Sequence, residues 1–97
     1  MVTPYMEPRL RTLRRLLDRI KRSPHNTRFG DLCKLIEAAG IPRKRQSGSH
    51  RVYEDEADGI FFNLQPAPGG KAKGYQVRQV VRTIEDLVLA RLENEED

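Results

Sequence analysis

The spacing of apolar residues changes period twice along this chain, and that change excludes most folds. From Pro8 to Arg22, Leu10, Leu13, Leu16, Leu17 and Ile20 recur at helical steps and form the stripe of a helix with one apolar face. From Ile60 to Gln65 the step is two. Ile60, Phe62 and Leu64 alternate with Phe61, Asn63 and Gln65, as a strand covered on one face requires. Beyond about Tyr75 the helical step returns with Val77, Val80, Val81, Ile84, Leu87, Val88 and Leu92. A chain of 97 residues has room for one core, so these helices and this strand must share it.

The segments between fill in the order. Ser23, Pro24, His25 and Asn26 break the first helix, because proline lacks the amide hydrogen and restricts its predecessor. A second helix follows, with Asn26 or Thr27 as its cap. Phe29, Leu32, Leu35, Ile36 and Ala39 line its apolar face, Cys33 adjoins them, and Gly40 stands where a left-handed terminating residue belongs. Two further extended segments, Ile41–Gln46 and His50–Glu54, precede Ile60–Gln65, and Pro42 puts the first of them at a sheet edge. The polar run Asp55–Gly59 joins the second and third strands as an antiparallel hairpin. Pro66–Gly74 reads as a loop, and the acidic end, Glu93–Asp97, opposes the helix dipole and predicts fraying. The expected class is α+β, in the order α-α-β-β-β-α, with a three-stranded antiparallel sheet and the helices on one face. The expected division of the single domain, 1–97, is an N-terminal helix at 8–22, a core at 23–92 and the frayed tail at 93–97.

Charge divides unevenly along this order. Met1 to Arg51 carries 13 Lys and Arg against 4 Asp and Glu, a balance of +9, whereas Val52 to Asp97 carries 5 against 10, a balance of −5. The first half is therefore the candidate for contact with a polyanion. One cysteine cannot form an internal disulfide, and His25 and His50 stand too far apart in sequence to begin a zinc site, so neither a metal nor a cofactor is expected. No apolar run approaches the roughly 18 residues of a membrane span, and Met1–Glu7 lack the features of a secretory signal, so the expected location is the cytoplasm.

Chemistry is most concentrated in Ser47–Gly48–Ser49–His50–Arg51–Val52–Tyr53, directly after the basic run Arg43, Lys44, Arg45. Gly48 allows a tight loop whose backbone amides, those of Gly48 and Ser49, can approach a phosphate. His50 then begins a rigid strand, and an imidazole exchanges protons near neutral pH. Ser-Gly-Ser is also an ordinary turn, and a single strand-end histidine is often structural. Arg43, Lys44, Arg45 and Arg51 flank His50 and are candidate phosphate contacts, joined by Lys71 and Lys73 from the later loop. Phe61, out of phase with Ile60 and Phe62, is a candidate for base stacking on the open side of the sheet.

The stretch SGSHRVY, the strand NLQP and the segment KAKGYQVRQVV, preceded by the helix FGDLCKLIEAAG, resemble the HicA family of toxin–antitoxin ribonucleases over roughly Arg22 to Asp86. The resemblance implies a fold similar to the double-stranded-RNA-binding domain, metal-independent cleavage of mRNA, inhibition by a HicB-like antitoxin, and a catalytic role for His50. The sequence departs from many members in one respect: Gln65–Gly70 holds no histidine. His50 would then act with a cation, Arg45, Arg51, Lys71 or Lys73, that stabilises the charged phosphorane. Two other functions fit the same residues: a noncatalytic RNA-binding module, and a degenerate toxin kept as a partner-binding subunit.

Overall fold

The computed structural model describes residues 8–96. Met1–Glu7, where no secretory signal is read, and Asp97, the last residue of the acidic tail, lie outside them. The first helix, α1, spans Pro8–Arg22 and buries Leu10, Leu13, Leu17 and Ile20. A single 3-10 turn, Pro24–Asn26, leads to α2, Phe29–Ala38. Asn26 and Thr27 do not cap that helix. Both side chains turn back to Ser23, Asn26 to its hydroxyl and Thr27 to its carbonyl, and Arg28 takes the capping position with an extended backbone. Gly40 ends α2 as expected, with φ +82°.

Three strands follow: β1, Arg43–Ser47; β2, His50–Asp55; β3, Ile60–Leu64. They form one antiparallel sheet in the order β1-β2-β3, so His50 opens the central strand. β1 starts two residues later than its expected beginning at Ile41, because Ile41 is buried in the core and Pro42 only lends its carbonyl to the amide of Glu54. The register is Arg43 with Tyr53, then Arg45 with Val52, leaving Lys44 as a bulged extra residue on the sheet's edge. The outer edge of β3 is closed by a side chain. The Gln76 amide, buried, donates to the carbonyl of Asn63 at 3.3 Å and accepts from the amide of Gln65 at 3.5 Å, as a neighbouring strand would.

The last helix begins at Gly74. The segment α3, Gly74–Thr83, passes without a break through a π-helical stretch, Ile84–Leu89, into α4, Ala90–Glu96. The wider π turn advances each residue through a smaller angle, which changes the buried set: Leu87 is 46% exposed, not buried as its spacing suggests, and Leu89 takes its place in the core. The acidic end remains helical to Glu96, and Glu93 accepts a hydrogen bond from Arg14 of α1.

One face of the sheet is covered by these helices. Tyr53, Ile60, Phe62 and Leu64 meet the apolar stripes of α1, α2 and α3 in a single cluster. The molecule is thus a small α+β domain with helices on one side of a three-stranded antiparallel sheet. No helix among the described residues is long and apolar enough to cross a membrane.

Candidate functional site

The open face of the sheet is set by the turn that precedes His50. Ser47 and His50 are register partners, so Gly48 and Ser49 form a two-residue hairpin loop. Gly48 has φ +59°, and no residue other than glycine has positive φ among the described residues, so the loop has the sign pattern of a type II′ turn. That turn needs glycine at its first central position. It also matches the twist of the flanking strands, which fixes which face His50 takes.

Alternation then assigns the rest. His50, Val52 and Glu54 share one face of β2, and their cross-strand partners extend it: Ser47 beside His50, Arg45 and Asn63 on either side of Val52, and Phe61 beside Glu54. Arg45, Gln46, Ser47, His50, Val52 and Asn63 line an open depression of about 490 Å³. Its size falls within the roughly 300–1,000 Å³ of small-ligand sites. His50 and Arg45 are exposed, and Arg45 belongs to none of the ion pairs among the described residues. Phe61 is 51% exposed on this face.

Arg51 is not part of this arrangement. One residue on from His50, it points to the opposite side of the sheet, opposite Leu64, with its guanidinium carbon 5.5 Å from the centre of the Phe29 ring. Adjacent strand positions face opposite ways, so nearness in sequence was the wrong measure for it. Arg43 lies one bulge away from Arg45 and donates to the side chain of Gln46 at 3.1 Å, while Lys44 is the bulged residue. Neither lines the depression.

Lys71 and Lys73 belong to the loop that follows β3. Lys71 pairs with Arg28 in an isolated bridge, and the amide of Ala72 donates to the carbonyl of Thr27 at 2.9 Å, which ties this loop to the approach to α2. Lys73 caps α3 through its backbone. Gln76, in the first turn of α3, reaches Asn63 and Gln65, so the loop, the start of α3 and the His50 end of the sheet lie at the same end of the molecule.

Ser47, Gln46, Val52 and Asn63 were not expected among the lining residues. The signal for three of them was present: two steps along the strand from His50 is Val52, across the two-residue turn is Ser47, and opposite Val52 is Asn63.

Below the sheet lies the buried hydroxyl of Tyr53, which donates to the Glu37 carboxylate at 2.8 Å. Burial pushes this hydroxyl well above the ordinary tyrosine range, and the bond to Glu37 adds to the effect. It stands on the far side of the sheet from His50 and takes no part in the depression.

Comparison with protein-family models, curated proteins and solved structures finds no match to this chain.

Proposed function

We propose that the protein is a metal-independent endoribonuclease acting on mRNA, the toxin of a HicA-like pair held in check by a HicB-like antitoxin. The observation that carries the reading is the hairpin at Gly48 and Ser49. It delivers an exposed imidazole onto an open sheet face beside a hydroxyl, Ser47, and a guanidinium, Arg45, that belongs to no ion pair among the described residues. Those are the groups that a transesterification at phosphorus needs.

In this reading His50 accepts the proton of a ribose 2′-hydroxyl as the 2′-oxygen attacks the adjacent phosphorus. The bond from phosphorus to the 5′-oxygen breaks, leaving a 2′,3′-cyclic phosphate. The departing 5′-oxygen takes a proton from the imidazolium or from water. Arg45 holds the charge that builds on the phosphorane oxygens, and the amides of Gly48 and Ser49 face the same phosphate. Arg51 has no part in this scheme.

The test is RNA cleavage in excess chelator. The wild-type protein is expected to cut RNA, leave the 2′-deoxy analogue intact, and lose about 10²- to 10⁴-fold in rate on His50→Ala. Equal cleavage by both proteins removes His50 from the mechanism, and a strict need for added divalent ion rejects the mechanism. Binding without cleavage assigns the chain to a noncatalytic RNA-binding role. A HicB-like partner would cover the same face, so partner and RNA are expected to exclude one another in a competition experiment.

A further inference from the structure

We infer that the open sheet face reads a nucleobase beside the scissile phosphate, with Asn63 as the specificity-determining residue and Phe61 as the stacking surface. The inference rests on the ribonuclease reading above and names the part of the substrate that the site selects.

The first observation is Val52. It is only 8% exposed, yet it lies on the face away from the core and is absent from the core cluster. The middle of the open face therefore has an apolar floor with polar groups on either side. Asn63 stands directly across from Val52 on β3, is exposed, and its carboxamide has no hydrogen-bond partner among the described residues. Its backbone carbonyl accepts from the Gln76 side chain, which fixes the strand that presents it.

Phe61 is the second observation. It shares the open face with Asn63, two residues along β3, and half of its surface meets water. Cross-strand partners stand about 5 Å apart and same-face neighbours on one strand roughly 7 Å apart. Val52, Asn63 and Phe61 thus span an area of the size of one flat heterocycle. His50 lies one same-face step beyond Val52, on the side away from Glu54 and its partner Phe61. A base seated against Val52 and Phe61 has its ribose and phosphate directed toward His50, Ser47 and Arg45. An RNA strand fits this combination: an aromatic for the base, a carboxamide for its edge, and a cation with an imidazole for the backbone.

A carboxamide offers one donor and one acceptor side by side, so it recognises base edges that present the reverse pair. Asn63→Asp replaces the donor by a second acceptor. The edge that suits two acceptors carries two adjacent donors, and guanine supplies them at N1 and the exocyclic amine.

The experiment uses uncleavable 2′-O-methyl hexamers of A, C, G and U, with binding measured for the whole chain and folding of each variant checked by circular dichroism. The wild type is expected to discriminate among the four by about 5- to 150-fold. Asn63→Ala flattens that ranking, Asn63→Asp moves it toward G, and Phe61→Ala weakens all four by a similar factor. Folded Asn63 variants that keep the wild-type ranking overturn the inference while leaving the chelator assay, and the ribonuclease reading, intact. A wild type that neither binds these hexamers nor cuts RNA overturns both.

Discussion

His50 owes its position to the residue two places before it. Gly48 supplies the positive φ that a II′ turn demands at its first central position, and the turn fixes which face of β2 the imidazole takes. The turn residues and the strand start were legible in the sequence. The face of Arg51 was legible too, by simple alternation, but the charge-cluster reading overrode it. Tyr53 illustrates what sequence does not reveal. The bond from its hydroxyl to Glu37 depends on where α2 lies over the sheet, which no local pattern encodes. That bond has a pH signature. The folded protein holds the hydroxyl proton more tightly than the unfolded chain, so its contribution is present below the ordinary tyrosine pKa of about 10 and is lost as pH rises beyond it. At pH 8, Tyr53→Phe is expected to be about 1 kcal/mol less stable than wild type in urea unfolding. The difference should shrink by pH 11, and one that stays constant across that range would show that Tyr53 does not titrate with unfolding.

At the scale of elements, helical periods identified the three helical segments and the alternating step identified β3, while β1 and β2 were read as extended segments without a period; the ends were settled by contacts that local pattern does not encode. The π stretch exchanged Leu87 for Leu89 in the core, and the bulge at Lys44 shifted the register of β1. The junction of α1 with α2 is another such contact. The Arg9 guanidinium donates to the carbonyl of Ala39 at 2.8 Å, and so supplies a cation and a donor at the C-terminus of α2. Gly40 adjoins it with φ +82°, and a Cβ there would come 1.9 Å from the Arg9 Nη2. Gly40→Ala is expected to cost about 1–2 kcal/mol from the left-handed backbone alone. It would also displace Arg9, whose own removal costs about 0.3–1 kcal/mol. In Arg9→Ala, therefore, Gly40→Ala should be less damaging than in wild type, and thermal or urea melts of the four-protein cycle measure the difference. Strict additivity would show that Arg9 does not contribute through that carbonyl.

For the whole molecule, the division of charge along the sequence becomes a division in space only in part. Four of the basic residues of α1 are engaged by neighbours: Arg14 pairs with Glu93 and Lys21 with Glu85 of the second half, Arg19 lies 3.8 Å from Asp31 of α2, and Arg9 bonds the carbonyl of Ala39 at the end of α2. The sequence balance therefore overstates α1 as a polyanion track. Arg15 is exposed but belongs to the helix layer, on the other side of the sheet from His50, whereas Arg45 lies in the depression. Salt dependence separates these two kinds of cation. Each phosphate contact to a single strand adds about 0.7 to the slope of log K against log salt, because binding releases the counterion that phosphate had held. Arg45→Ala is expected to reduce the slope for uncleavable RNA by about 0.7, while Arg15→Ala leaves it unchanged. Titrations at four or five salt concentrations resolve a difference of that size. If the Arg15 variant lowers the slope and the Arg45 variant does not, RNA lies across the helices, and the open sheet face with His50 is not where the strand binds.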